Sequence, residues 1–415
     1  MKYFWEKVKL GNISSMQYGF TASSEEKMVG PKFLRITDIA KNNITWSTVP
    51  YCRISNVDYQ KYKLEDGDVV IARTGATAGY AKLIKNPPSA VFASYLIRVK
   101  FNQKCLPEFG GRVIESNIFK NFVRKNISGS AQPHANAPIL KKYELYLPPL
   151  KVQKKIASIL SAYDELIENN NRRIEILENM AVTIYKEWFV HFRFPGHEKV
   201  KMIDSELGKI PEGWETKRLS KIVDTQYGYT ESASEEIIGP KFLRGKDINK
   251  NSYIIWDDVP YCKIESYAYE KYKLNREDIV IIRMADPGKA GIIEKDIDAV
   301  FASYLIRLKI KNGIEPYYLF YFLLSNRYQS YISGASTGTT RRSASAGAIT
   351  DVDILLPDKN VLDQFRDVVN LLRQLLNTLL EKNGNLRKFH NLLIPKLISG
   401  KIDVSDLDIK IEDIK

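Results

Sequence analysis

The chain is poor in the residues that build covalent or metal-bound frameworks. Its 415 residues include only three cysteines and four histidines. Cys52, Cys105 and Cys262 form no CxxC pair and no two histidines stand at ligand spacing, which argues against a disulfide scaffold or a structural metal site. A reducing cytosol suits this usage. No run approaches the roughly 18 apolar residues of a membrane span, and the opening MKYFWEKVKLGNISS lacks the apolar centre of a secretion signal. The expectation is a soluble, cytoplasmic protein with no membrane association.

Catalytic signatures are missing as well. There is no GxSxG, no HExxH and no carboxylate cluster ending in lysine of the nuclease kind. RTGATAGY, from Arg73 to Tyr80, has neither the spacing nor the Lys-Ser/Thr ending of a Walker loop, and reads as a turn or an anion-contacting loop. NPPS at Asn86 has serine where the NPPY-type motif of adenine methyltransferases has an aromatic, and no glycine-rich cofactor loop accompanies it. It reads as a turn. Asp358, in the PDK that starts at Pro357, suits a helix N-cap or first turn. These absences predict a chain without catalytic residues.

Positive charge and repetition are what the sequence has in quantity. The formal net charge is +13, with both signs spread along the chain, and the pI is near 9.3. This pattern suggests a folded protein with surfaces suited to a polyanion, although basic composition alone is common among soluble proteins. The length favours two or three units, each able to bury a core.

Internal similarity decides the architecture. WEKVKL at Trp5 returns as WETKRL at Trp214, and QYGFTAS at Gln17 returns as QYGYTES at Gln226. GPKFLR recurs at Gly30 and Gly239, VPYC at Val49 and Val259, and VFASYLIR unchanged at Val91 and Val300. DVVIAR at Asp68 matches DIVIIR at Asp278. Residues 68–72 and 91–99 read as strands bounded by turn residues, and 112–124 and 317–331 carry helical spacing. Each module is therefore mixed α/β, of the α+β class, and about 140 residues long.

A proline and a long periodic segment follow each module. In the first copy Val152, Ile156, Ile159, Tyr163, Leu166, Asn170, Ile174, Leu177, Met180 and Ile184 recur at steps near three and four. In the second, Leu362, Phe365, Val369, Leu372, Leu376, Leu379, Asn383, Leu386, His390 and Leu393 keep a heptad beat, the signature of a coiled-coil seam. A helix over 149–189 is roughly 60 Å long at 1.5 Å per residue and cannot bury its stripe alone. Antiparallel pairing of the two helices within the chain is expected, with separate bundles or pairing between chains as alternatives. Asn170 and Asn383 restrict register at a cost in stability, and the Asn383-Gly384 step is a weak spot. The domain boundaries read 1–147 for the first module, 148–194 for its helix, 195–213 for a linker, 214–356 for the second module, and 357–415 for the second helix and tail.

Two similar modules on a rigid spacer, with surplus positive charge, have the geometry for reading two short duplex DNA segments. Base edges are read by Arg, Asn and Gln, with Ser, Thr and Tyr in support. Such residues stand in turn contexts. In the first module they are Gln17, Tyr18, Arg35, Arg73, Thr74, Thr77 and, in the loop 128–136, Ser130, Gln132 and His134. In the second they are Gln226, Tyr227, Arg244, Lys246, Arg283, Lys289 and, in the loop 333–342, Thr337, Thr339, Thr340, Arg341 and Arg342. Arg35 and Arg244 stay open between phosphate contact and structural ion pair. Tyr95 and Tyr304, inside the identical block, read as core or scaffold. His134 reads as a polar loop residue.

The chain resembles, over nearly its whole length, the specificity subunit of Type I restriction-modification enzymes. The resemblance is carried by the duplicated module, the segment LPPLKVQKKIASILSAYDELIENNNRRIEILENMA from Leu147, YKEWFVHFRFPG from Tyr185, IPEGWETKRL from Ile210 and LLIPKLISGKIDV from Leu392. It implies a non-catalytic subunit with two target-recognition domains, each reading half of a split, asymmetric DNA target. It implies that the paired helices dock two modification subunits, which bring S-adenosylmethionine and methylate adenine, that restriction subunits add ATP- and Mg-dependent translocation and cleavage, and that none of these cofactors binds this chain itself. The glycine-bearing turn of the family is present at Arg73, Gly75 and Gly79 and departs to RMADPGKAG at Arg283. A single-chain DNA-modifying enzyme with an unrecognised site, and a protein-binding coiled-coil adaptor, are the competing readings.

Overall fold

The computed structural model describes residues 5–40, 44–127, 134–311, 313–338 and 342–409. The chain divides into two compact units, Met1–Glu168 with Asn385–Lys415, and Asn169–Gly384. Each unit is one α+β module together with parts of both long helices, so the compact units cut through the helices rather than ending before them.

In the first unit a four-stranded antiparallel sheet runs in the order Ser14–Tyr18, Leu96–Phe101, Val69–Ala72 and Ala81–Leu83. Every residue of Val69–Ala72 is buried, which is why this strand reads as an unbroken apolar run rather than an alternating one. Lys32–Leu34 and Ala90–Phe92 form a parallel pair, and Glu6–Lys9 pairs with Glu144–Leu147. The second unit repeats all three arrangements. Its four-stranded order is Val223–Tyr227, Leu305–Ile310, Ile279–Ile282 and Ala290–Ile292. Register is preserved to the residue, with Gln17 opposite Arg98 and Gln226 opposite Arg307.

Two expected elements are broken by local chemistry. The strand over 91–99 divides into Ala90–Phe92 and Leu96–Phe101, which belong to different sheets. The chain turns at Ser94 and Tyr95 between them, against Gly19, where a Cβ would stand 2.2 Å from the Ala93 carbonyl oxygen. The helix over 112–124 is two helices, Pro107–Glu115 and Asn117–Ile127. Ser116 ends the first by donating to the Val113 carbonyl and begins the second by accepting the Phe119 N–H, the local bonding that makes serine a good cap. Ser325 does the same between Pro316–Leu324 and Asn326–Ala335.

The long helices are Leu150–Phe189 and Lys359–Ile398. They pack antiparallel within each unit. In the first, Val152, Ile156 and Leu160 share a core with Leu397, Ile398 and Val404. In the second, Ile174 packs with Leu376 and Leu379, and Tyr185 and Phe189 with Phe365. Asn170 Nδ2 donates to Asn383 Oδ1 at 2.9 Å, and Asn383 Nδ2 donates to Asn171 Oδ1 at 2.9 Å. The amides satisfy one another in the seam, the arrangement that fixes register in coiled coils. The seam departs from the expected stripe at Leu166 and Met180, which are exposed. A helix of 3.6 residues per turn drifts away from a fixed seven-residue stripe, and the broad module cores capture a wider face than a coiled-coil seam does.

The stretch 195–213 is not a bare linker. Met202–Ser205 and Gly208–Pro211 form an antiparallel pair, and Phe194, Ile210 and Trp214 are buried in the core of the second unit. Phe194 stacks on Trp214 with ring centroids 5.3 Å apart. The segment has no periodicity because its anchors are aromatic residues at its two ends.

Candidate nucleic-acid interface

Each module brings three separate turn segments together at one arginine. Arg73 follows the buried strand Val69–Ala72, and its backbone N–H donates to the Tyr95 carbonyl while its own carbonyl accepts the Ala135 N–H at 2.8 Å. Thr74 forms a bridge with His134, and the Tyr18 hydroxyl accepts the Ala137 N–H at 3.0 Å. The Arg73 guanidinium lies 5.1 Å from the centre of the Tyr18 ring, and its Nε is buried without a partner. Such a stack contributes about 0.5–2 kcal/mol and holds the planar group in one orientation.

The second module rebuilds the same junction from diverged residues. The Arg283 guanidinium lies 5.0 Å from the Tyr227 ring centre, and the Arg283 carbonyl accepts the Ala344 N–H at 2.8 Å. Met284 bridges Ser343, and the Tyr227 hydroxyl accepts the Ala346 N–H at 3.2 Å. The turn is one residue shorter than in the first copy. Gly79 and Gly288 hold the same place at φ +86° and +98°, and a Cβ on Gly288 would stand 2.5 Å from Ile332. Ala285 takes φ 72° where the first copy has Gly75, at a cost of about 1 kcal/mol for a residue with a Cβ.

The other candidates fall into distinct environments. The side chains of Gln17 and Gln226 are committed inside the fold: their amide oxygens accept from Arg98 and Arg307, and their amide nitrogens donate to the Lys61 and Lys271 carbonyls. Arg98 and Arg307 are buried and also pair with Asp68 and Asp278. The sequence gives little sign of these arginines, because each closes the apolar block VFASYLIR. Arg35 holds Asp38 through Nε and Nη2, at 3.1 and 3.2 Å, and Arg244 holds Asp247 at 3.0 and 2.9 Å. The structural ion pair is therefore the arrangement present.

Thr74 and Thr77 are half-buried, and Lys246, Lys289, Thr337 and His134 are exposed. Thr337 pairs with Ser343 through two backbone bonds of 2.9 Å, and Arg342 Nη1 donates to the Ser333 hydroxyl at 3.2 Å. Ser130, Gln132, Thr339, Thr340 and Arg341 lie outside the described residues. Tyr95 and Tyr304 are not core residues: they are 57% and 56% exposed, at the tip of the turn whose carbonyls receive the Arg73 and Arg283 N–H groups. A single sequence shows that such a turn exists but not which side of it faces solvent.

Burial pushes the thiols of Cys52 and Cys262 up to about 11 and that of Cys105 to about 12, which keeps all three protonated and poorly nucleophilic near neutral pH. Among the described residues no group of three or more His, Cys, Asp or Glu is placed to hold a metal ion. No helix is long and apolar enough to cross a membrane among the same residues.

Comparison with known proteins places this junction in context. The family described as Type I restriction modification DNA specificity domain matches residues 4–179 and again 211–384. The chain is 26% identical to the Type I restriction enzyme MjaIX specificity subunit of Methanocaldococcus jannaschii, covering 97% of this chain and 94% of the relative. It is 22% identical to the Type I restriction enzyme EcoBI specificity subunit of Escherichia coli, covering 89% and 79%. The fold is shared with the S subunit of a Type I restriction-modification system from M. genitalium, at a TM-score of 0.56 and 15% identity over 96% of each chain. The two matched domains together span most of the chain, which therefore belongs to the Type I restriction modification DNA specificity domain family.

Proposed function

We propose that the chain is the DNA-recognition subunit of a Type I restriction-modification complex and reads a bipartite, asymmetric duplex target, one half-site per module. The observation that carries this reading is the doubled junction. Tyr18, Arg73 and the 134–137 segment meet in one module, and Tyr227, Arg283 and the 342–346 segment in the other. Arginine presented flat on an aromatic ring is suited to guanine edges or phosphate. The frame around it is nearly identical in the two copies and the turns beside it differ. Two half-sites sharing some bases and differing in others follow from that.

The subunit itself is non-catalytic in this reading. S-adenosylmethionine, ATP and Mg belong to partner subunits. The modification subunits dock on apolar side chains left uncovered on the long helices: Leu166, Phe389 and Leu392 in the first unit, Ile176, Leu371 and Leu375 in the second. The purified chain given S-adenosylmethionine alone should leave duplex DNA unmethylated, and addition of modification subunits should produce adenine methylation at a split site. Methylation by the chain alone would sink the reading.

A further inference from the structure

We propose that Lys120 and Arg124, on the helix Asn117–Ile127, form a DNA phosphate clamp in the first module, and that Lys289 and Arg342 supply the equivalent charges in the second from loops. This deepens the DNA-binding reading and rests on it.

The helix lies directly against the arginine turn. Val123 packs on Gly79, within 3.0 Å of where a Cβ would stand. Lys120 and Arg124 flank Val123 at i and i+4, so they share one face. Lys120 Nζ lies 4.5 Å from the ring centre of Tyr80, the last residue of the turn. Arg124 is exposed at the next turn of the helix. The charge environment is unbalanced: burial lowers the Lys120 pKa, Lys82 and Arg124 lower it further, and Glu115 opposes them. The Glu115 carboxylate is already engaged by the Leu83 N–H at 2.8 Å and by Arg112. Lys120 and Arg124, one helical turn apart and with the Glu115 carboxylate committed elsewhere, are relieved by an external anion.

The second module shows what replaces the clamp. At the repeat offset of Ser116 and Ser325, Lys120 and Arg124 become Gln329 and Ser333. The helix face there is an open concavity of about 560 Å³ lined by Asn326, Gln329, Ser330, Ser333 and Gly334. Gln329 Nε2 donates to the Gly288 carbonyl at 2.9 Å, which fixes the residue before Lys289. Arg342 reaches into the position vacated by Arg124 and bonds Ser333. Tyr80 in the first turn becomes Lys289 in the second. Lys120 and Arg124 are lost from this helix face, and Lys289 and Arg342 stand on the loops beside it. Asp286 in the second turn is the acidic group nearest in sequence to Lys289.

The test is the salt dependence of duplex DNA binding by the full-length chain. Each lost phosphate contact lowers the slope of log affinity against log salt by about 0.9. K120Q/R124S is expected to lower it by about 1.8, K289Q/R342S by about the same, the exposed single variant R124S by about 0.9, and K120R/R124K not at all. Unchanged thermal midpoints show that the variants fold. A wild-type chain binding with a steep slope that R124S and K120Q/R124S leave unaltered overturns the clamp alone. A wild-type chain with no salt-dependent binding overturns the DNA-binding reading, and the clamp with it.

Discussion

Asp164 and Arg373 occupy the same repeat position on the two long helices and carry opposite charge, and each is answered from its own module: Arg112 reaches Asp164, and Glu294 takes Arg373 at 2.6 Å. The same repeat position is thus paired in both units with the sign reversed. The second pair is far more buried. Arg373 is about 1% exposed and also donates to the Ser252 hydroxyl and carbonyl, whereas Asp164 is 39% exposed and shares its surroundings with His390.

That difference sets unequal costs. Arg373→Ala leaves the Glu294 carboxylate buried and unpaired, and should destabilise the second unit by about 3–5 kcal/mol. Asp164→Ala should cost about 1 kcal/mol or less, because solvent already screens that pair. Chemical denaturation monitored separately for the two units checks both. Equal losses would show that burial does not govern the pairs.

Gln226 separates a structural role from a reading role. Gln226→Leu removes one of the two acceptors of Arg307 Nη2, leaving the Lys271 carbonyl, and should lower the stability of the second unit by about 1–3 kcal/mol. The methylated sequence should stay the same at reduced occupancy. A changed base preference without loss of stability would assign Gln226 to base contact instead.

Arg283→Lys keeps the charge but loses the planar stack on Tyr227. Site occupancy should fall at the second half-site and leave the first as it was, since lysine cannot reproduce a flat, forked donor. Arg73→Lys should do the reverse. Mapping of methylation at degenerate targets reads both, and full retention of the pattern by either lysine variant would remove the stacked arginine from recognition.

Glu315 provides a pH signature. It caps the helix Pro316–Leu324 by accepting the Tyr318 N–H at 2.7 Å, and burial pushes its carboxyl up to about 7. Between the ordinary carboxylate range and that value the folded chain binds more protons than the unfolded one. Stability contributed by this group is therefore present at low pH and falls as pH rises toward 7. Glu315→Gln should flatten the decline and raise the thermal midpoint of the second unit at pH 8 relative to wild type. A variant with the same pH slope as wild type would show that the carboxyl ionises freely.

The repeat, the mixed fold and the paired helices were legible because long identical blocks and apolar periodicity are properties of the sequence itself. Gln17 and Gln226 were legible as turn-flanking polar residues but not as the partners of Arg98 and Arg307, since that pairing is made between strands far apart in sequence. Tyr95 and Tyr304 read as core or scaffold because the block around them is apolar; a two-residue turn between sheets points them out. The 195–213 stretch hid its packing because its aromatic anchors have no period. Arg73 and Arg283 were visible, but the stack that orients them depends on tyrosines more than fifty residues away.

Adenine methylation mapped across the DNA of cells carrying this chain together with its modification subunits bears most directly on a two-headed reader. Methylation should fall at one split sequence, with two short specified segments at a fixed spacing. Exchange of residues 128–136 with 333–342 should alter the specified bases while keeping the spacing. A single continuous motif would refute recognition by two separate modules; a split motif that survives the exchange unchanged would remove these two loops from base readout.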